Sequence, residues 1–258
     1  MVRHRGIIAA ALAGTALVAV IAGLLLTSGG PGAPARPPAP GRPVPRALPA
    51  RHQPPPLPAS TTLATMLVTA PRFATPGGKR TGVVATSWYD RVSVLPMIAT
   101  RPGWVEVRLP QRPNGSTAWV PAGDVTLGST PYLIVIDLRT LHLSLYDRGR
   151  RVFSAPAGVG TLDDPTPAGD YFVAFDEPPP ETGVGYGPFV LVTSAHSPAI
   201  SDWEGSGDAV IGIHGPLGMD AAIGTKGARI SHGCVRLHVS ALEKLSQVPP
   251  GTPIDVIG

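Results

Sequence analysis

The only cysteine of the chain, Cys234, lies close in sequence to two histidines. His232 stands two residues before it, and sixteen residues separate His214 from the Ser-His-Gly-Cys sequence that ends at Cys234. A thiol becomes a useful nucleophile near neutral pH when a neighbouring base removes its proton, because the thiolate is the reactive form. This spacing therefore indicates nucleophilic catalysis, with Cys234 as the nucleophile and two candidate bases.

The residues next to the cysteine support this interpretation. Gly233 has no side chain, so backbone N–H groups beside it can approach a developing oxyanion. A lone cysteine in an exported protein cannot form an internal disulfide, which leaves either an inert buried thiol or a reactive one. Its setting in Ser231-His232-Gly233-Cys234 favours the reactive thiol.

The motif Ser231-His232-Gly233-Cys234-Val235-Arg236, with His214 upstream, resembles the signature of L,D-transpeptidase catalytic domains of the YkuD type. An upstream segment, Thr166-Pro167-Ala168-Gly169-Asp170-Tyr171, is similar to a second sequence of that family. The resemblance covers about half of the chain, from Tyr132 to the end. It implies an enzyme that remodels peptidoglycan, with stem peptides as its partners and no cofactor.

The resemblance also implies residue roles. Cys234 would be the nucleophile, and His214 would take and return the proton while the Gly215 carbonyl orients its imidazole. The N–H groups of His232, Gly233 and Cys234 would face the oxyanion. From the residues alone the two histidines remain equivalent, since either could lie within hydrogen-bond reach of the sulfur.

Two further side chains are predicted to contact substrate. Arg236 could hold a substrate carboxylate, or it could pair with an acidic neighbour. Residues 177–188 are rich in proline and glycine and cannot form a regular element. We interpret them as a lid over the cleft that carries Tyr186, with an ordinary surface loop as the alternative.

The implied reaction is a two-step acyl transfer. Cys234 attacks the carbonyl after the third residue of a tetrapeptide stem, releases D-alanine and passes the acyl group to an amine of a neighbouring stem, which gives a 3→3 cross-link. Water as the acceptor would make the enzyme an L,D-carboxypeptidase, and a protein amine would anchor a protein to the wall. The family's sensitivity to carbapenems is consistent with a thiol nucleophile.

Two other classes of protein are alternatives to the enzyme. Imidazole and thiolate groups suit zinc, and His214, His232, Cys234 and His238 are candidate ligands. Paired ligands such as Cys-x-x-Cys do not occur, so no metal is predicted. A non-catalytic wall-binding module is the third alternative, and the intact cysteine motif is evidence against it.

Charge is distributed unevenly along the chain. Residues 1–58 carry a net charge of +6, residues 59–130 carry +4 and residues 131–258 carry −6, so the total is +4. The basic excess therefore belongs to the amino-terminal part and lacks the motif support that a nucleic-acid-binding module shows. We predict no nucleic-acid partner and a basic segment close to anionic lipid or wall polymer.

The amino-terminal residues predict an extracytoplasmic protein. Residues 7–26 are uncharged and long enough to span a bilayer as a helix. We expect residues 1–27 to be a cytoplasmic tail and membrane anchor with the N-terminus inside, or else a cleaved signal peptide of a protein secreted to the wall. Residues 28–58, rich in Pro, Ala and Arg, are expected to be a semi-extended linker.

The remaining chain is predicted to be mainly β. Short β-rich runs separated by turn signals in residues 59–130 resemble an SH3-like barrel. Residues 131–258 are expected to form the catalytic domain, which by resemblance is a β-sandwich or mixed sheet with one or two short helices. A strand ending at His214 would deliver that histidine to a sheet edge, and Ser240-Ala241-Leu242-Glu243 predicts a capped helix start.

Overall fold

The computed structural model describes residues 57–180, 184–203 and 205–258. The predicted tail and anchor of residues 1–27, and the predicted linker as far as residue 56, lie outside these ranges. Within them, none of the helices combines the length and apolar character needed to cross a bilayer.

The first part of the described chain is an antiparallel sheet. Its strands and single 3₁₀ turn are β1 (Thr61–Met66), β2 (Ala70–Phe73), β3 (Arg80–Val84), β4 (Ser87–Trp88), β5 (Arg91–Val92), β6 (Val94–Arg101), β7 (Trp104–Arg108), β8 (Thr117–Pro121), the 3₁₀ turn Ala122–Asp124, and β9 (Val125–Thr130). Seven of them form one sheet in the order β3-β2-β8-β7-β6-β1-β9, and β4 and β5 form a separate hairpin. Alternation explains β7, whose Val105 and Val107 are buried while Glu106 between them is partly exposed.

The second part is a mixed sheet of eight strands. Its elements are β10 (Tyr132–Asp137), β11 (His142–Asp147), β12 (Arg150–Pro156), β13 (Val159–Gly160), β14 (Gly169–Glu177), β15 (Val190–His196), β16 (Val210–His214), the 3₁₀ turn Asp220–Ala222, β17 (Arg229–Ser231), β18 (Val235–Arg236), α1 (Val239–Leu242), the 3₁₀ turn Glu243–Leu245, and β19 (Pro253–Ile257). The strand order is β12-β11-β10-β19-β14-β15-β16-β18, and β13 pairs separately with β17. The β10–β19 and β16–β18 pairs are parallel, and the others in the large sheet are antiparallel. The prediction of a mainly β protein with a mixed sheet is confirmed, whereas the SH3 likeness of the first sheet stays a prediction.

Strand β14 joins the hydrophobic cores of the two sheets. Its residues 171–175 are buried in succession. Because side chains alternate between the faces of a strand, Tyr171 and Val173 pack in the core of the second sheet, while Phe172 and Ala174 pack in the core of the first. The two hydrophobic cores therefore adjoin at β14, and the two sheets pack against each other.

The helix after the cysteine motif begins earlier than the sequence predicts. Its N-cap position is His238, no side chain makes a capping hydrogen bond there, and the first helical residue is Val239. The predicted capping box at Ser240 is wrong. The His238 ring contacts Asp220 instead, with 3.0 Å between Nδ1 and Oδ1. One turn of helix is too short for a capping residue to decide its start, and packing of the buried Ala241 and Leu242 does so.

Candidate active site

Cys234 lies at the wall of a pocket built on β15, β16 and the turn between β17 and β18. The pocket encloses about 250 Å³ and is lined by Tyr186, Trp203, His214, His232, Cys234 and Arg236, together with apolar residues of β15 and β16. The parallel pair β16–β18 places His214 opposite Arg236 in the register, two residues beyond the cysteine. The structure thus brings the predicted side chains to one cavity.

Cys234 is a partly exposed residue, and its thiol accepts a hydrogen bond from the Gly212 N–H, with 3.3 Å between nitrogen and Sγ. Burial raises the pKa of this thiol, although the Gly212 hydrogen bond and the positive charge of Arg236 act in the opposite direction. The resting nucleophile is therefore a thiol rather than a thiolate, so it needs a base. Gly212 was not singled out from the sequence.

His214 is buried, and its Nδ1 lies 2.8 Å from the Gly215 carbonyl oxygen. A carbonyl can only accept, so Nδ1 carries the hydrogen and Nε2 is left with a lone pair. Burial lowers the pKa of His214 to about 4; the nearby Arg236 charge also lowers it, and the Gly215 hydrogen bond opposes both. The imidazole is therefore neutral at physiological pH and able to accept a proton.

His232 has a different environment. Its side chain is 60% exposed, and Nδ1 lies 2.6 Å from Oδ2 of Asp164. Its ring also contacts that of Trp203, with 5.6 Å between centroids. Neither partner could be predicted from the sequence, where the only signals are the scarcity of tryptophan and the position of Asp164 two residues before Thr166. His232 is held by contacts on both sides.

The turn that carries the nucleophile is fixed by hydroxyl groups. The Ser231 hydroxyl donates to the Cys234 carbonyl and accepts from the Gly233 N–H. The buried Thr166 hydroxyl donates to the Gly233 carbonyl at 2.7 Å and accepts from the Gly160 N–H at 2.9 Å. The upstream Thr-Pro segment thus positions the nucleophile.

One N–H group of the expected oxyanion site has a partner within the protein. The Gly233 N–H donates to the Ser231 hydroxyl at 3.2 Å, and its role toward an oxyanion stays a prediction. Within the described part of the chain, the N–H groups of His232 and Cys234 make no hydrogen bond to protein and remain candidate donors. Gly233 is needed for another reason, because its φ is +119° and a Cβ there would lie 2.7 Å from Cδ1 of Ile211.

Arg236 presents a guanidinium to the same pocket. Its Nε is buried and makes no hydrogen bond with the residues that the structure describes. The backbone of Arg236 is held by two hydrogen bonds to Gly158, at 2.7 and 2.8 Å. A fixed cation with an unsatisfied donor can bind a carboxylate of a ligand.

Tyr186 covers His214, with 4.7 Å between the ring centroids. Its carbonyl oxygen accepts a hydrogen bond of 2.6 Å from the Gly215 N–H. A Cβ on Gly215 would lie 2.6 Å from the Gly185 carbonyl oxygen, so only glycine permits this approach of the two segments. Gly215 therefore both orients His214 and admits Tyr186. Movement of residues 177–188 as a lid stays a prediction.

The four candidate zinc ligands have separate partners, and that of Cys234 is the Gly212 N–H. His232 pairs with Asp164, His238 with Asp220, and His214 with the Gly215 carbonyl. Among the described residues, no three His, Cys, Asp or Glu side chains form a group that could hold a metal ion.

Comparison with known proteins assigns residues 131–256 to the family model of the YkuD L,D-transpeptidase catalytic domain. A Bacillus licheniformis protein that carries the L,D-transpeptidase YkuD name is 32% identical over 127 residues. The aligned region is 49% of this chain and 66% of that protein, so the chain spans just under two thirds of the relative's length.

Two solved structures each resemble about half of the chain. A Bdellovibrio bacteriovorus protein is 26% identical, with a TM-score of 0.37, over 50% of this chain and 48% of its own. The catalytic domain of the Enterococcus faecium L,D-transpeptidase acylated by ertapenem is 26% identical, with a TM-score of 0.36, over 49% of this chain and 96% of that domain. By the family model and the sequence relative, residues 131–256 of this chain match the YkuD family of L,D-transpeptidase catalytic domains.

Proposed function

We propose that the chain is a cysteine-dependent peptidoglycan L,D-transpeptidase that acts outside the cytoplasm. The observation that carries the proposal is the shared pocket of a partly exposed cysteine and a neutral, buried imidazole whose Nδ1 is committed to the Gly215 carbonyl. Membrane attachment through residues 1–27 remains part of the proposal that only the sequence supports.

In the first step Sγ of Cys234 attacks the carbonyl carbon after the third residue of a tetrapeptide stem. The thiol proton passes to Nε2 of His214, and the N–H groups of His232 and Cys234 stabilise the oxyanion. The bond from carbonyl carbon to nitrogen then breaks, and His214 returns the proton to the amine of the leaving D-alanine. The product is a thioester on Cys234.

In the second step an amine of a neighbouring stem attacks the thioester. His214 removes a proton from the attacking nitrogen and returns it to sulfur as the bond between sulfur and carbon breaks. Arg236 binds a carboxylate of the stem, and Tyr186 keeps water away from the imidazole by covering its face. The cross-linked 3→3 dimer leaves a free thiol.

Product analysis tests this proposal. The purified chain is incubated with a disaccharide-tetrapeptide beside a Cys234→Ala variant, and soluble products are separated by mass. We expect free D-alanine and a cross-linked dimer from the wild type and neither from the variant. D-alanine with tripeptide alone would assign an L,D-carboxypeptidase, and transfer to an added protein amine would assign wall anchoring. Unchanged substrate in both samples would contradict the enzyme and leave a wall-binding module.

A further inference from the structure

The loop between β7 and β8 of the first sheet crosses to the catalytic domain and contacts one wall of its pocket. That wall is formed in part by residues 197–209, which connect β15 to β16 and which we name the wall loop; its Glu204 lies outside the described ranges. Ile200 and Trp203 of the wall loop line the pocket.

Arg112 is the centre of this contact. Its guanidinium donates to the Ser197 carbonyl at 2.8 Å, to the Ile200 carbonyl at 2.9 Å and to Oδ1 of Asp208 at 2.9 Å. Two acceptors lie near the start of the wall loop and the third lies near its end, so one side chain links the two ends of the loop. Because charged donors make stronger hydrogen bonds than neutral ones, this is the main tether of the loop.

Asn114 supplies a second tether next to the first. Its side-chain amide donates to the His196 carbonyl at 2.8 Å and accepts from the His196 N–H at 2.9 Å. The buried His196 ring lies 2.8 Å from Oδ2 of Asp208, which is thus held between His196 and Arg112. Burial would raise the pKa of Asp208, but the Ala209 N–H, His196 and Arg112 together lower it, so the carboxylate stays charged.

The other side of the wall loop reaches the catalytic residues. Trp203 contacts the ring of His232, which stands beside Gly233 and Cys234. The loop continues into β16, which carries the Gly212 N–H that binds the sulfur and then His214. Apart from Trp203, residues 201–203 and 205–208 are Ser, Asp and Gly. Small polar residues make few packing contacts, so this loop depends on its tethers to keep one conformation.

We propose that the loop between β7 and β8 is a positioning element of the active site, in which Arg112 and Asn114 hold the wall loop so that Ile200 and Trp203 complete the substrate pocket. Neither residue touches the reacting atoms. Through this loop the first sheet then supports the catalytic pocket. The identity of the substrate rests on the proposed function, whereas the tethering of the wall loop by Arg112 and Asn114 does not depend on it.

The experiment compares Arg112→Ala with Arg108→Ala in the full chain. Arg108 makes a similar cross-sheet ion pair, with 3.0 Å to Oδ2 of Asp170, and neither residue of this pair lines the pocket. Hydrogen–deuterium exchange of residues 197–209 is measured first, since it needs no substrate. We expect exchange at least about tenfold faster in Arg112→Ala, because hydrogen bonds to a charged group are lost, and little change in Arg108→Ala.

Kinetics then separate positioning from a general structural role. For Arg112→Ala we expect KM for the tetrapeptide to rise about tenfold or more while kcat changes far less, since the thiol and His214 keep their own contacts. Arg112→Lys should recover part of the loss, and Asn114→Ala should shift KM in the same direction. Alkylation of Cys234 by iodoacetamide should stay close to that of the wild type.

Equal exchange in Arg112→Ala and Arg108→Ala would overturn the proposal. A lower kcat with an unchanged KM in Arg112→Ala would also overturn it. The same holds for a rise in KM that occurs in both variants and follows their loss of thermal stability. A wild type that does not use the tetrapeptide would contradict the proposed function, while the exchange measurement would still decide the tether.

Discussion

At the residue scale, the two histidines near Cys234 are distinguished by their surroundings. His214 is buried and neutral, with one nitrogen bound to the Gly215 carbonyl, whereas His232 is mostly exposed and paired with Asp164. The sequence could bring both close to the cysteine because the motif is local. It could not rank them, because Gly215, Tyr186 and Asp164 reach them through loop conformations that side-chain spacing does not encode.

Replacing each histidine by glutamine tests this difference. We expect His214→Gln to slow acylation of Cys234 by a carbapenem roughly 10²- to 10⁴-fold, since it removes the proton acceptor. His232→Gln should cost much less, because the Asp164 and Trp203 contacts position a loop. The measurement is a single-turnover acylation rate by mass. A larger fall in the acylation rate for His232→Gln than for His214→Gln would identify His232 as the proton acceptor.

The pH dependence of acylation follows from the lowered pKa of His214. Burial shifts that pKa from 6.5 down to about 4, so the imidazole is already neutral and able to accept a proton above that pH. We expect the acylation rate to be nearly constant from about pH 5 to 7 and to fall only as the pH approaches 4. Circular dichroism over the same range controls for unfolding. A fall centred near 6.5 would show that the base keeps an ordinary histidine pKa.

At the element scale, the turn between β17 and β18 is held by a residue far away in sequence. The Thr166 hydroxyl joins the Gly233 carbonyl to the Gly160 N–H, and it is buried. The family resemblance implies that Gly233 offers its N–H to the oxyanion, and in the structure this N–H donates to the Ser231 hydroxyl. A sequence motif identifies which residues meet, but the direction of each N–H depends on backbone angles.

Thr166→Val tests this contact. Valine has a similar shape but leaves a buried carbonyl and a buried N–H without a partner, which costs about 1–3 kcal/mol for each group. We expect a lower free energy of unfolding in urea and slower acylation of Cys234. Thr117→Val removes an exposed hydroxyl that binds Glu106 and serves as the control. Equal effects of the two substitutions would contradict the account.

At the scale of the whole molecule, the two sheets are joined through β14. The run Tyr171 to Phe175 is apolar at every position, which is typical of a strand buried on both faces. The sequence predicted a mainly β chain with residues 59–130 as one β module, and it did not show how that module packs. The apolar pattern alone could not show that Phe172 packs in the core of the first sheet, because that depends on packing between segments distant in sequence.

Unfolding tests the shared core. Three of the four tryptophans lie in the first sheet or its β4–β5 hairpin, so their fluorescence reports that part, while circular dichroism reports both. We expect the two urea transitions to coincide. Phe172→Ala should shift both by about 3–5 kcal/mol, and the exposed Val152→Ala should shift neither. Two separated transitions would mean that the sheets fold independently.

Cys234 should form a thioester with a peptidoglycan stem, and the intact mass of the protein tests this most directly. The purified chain is mixed briefly with a disaccharide-tetrapeptide and quenched in acid, its mass is measured, and it is then digested to locate the modified residue. We predict a mass increase equal to the substrate minus D-alanine, located on Cys234 and absent from Cys234→Ala. An adduct on another residue, or release of D-alanine by Cys234→Ala, would exclude Cys234 as the nucleophile.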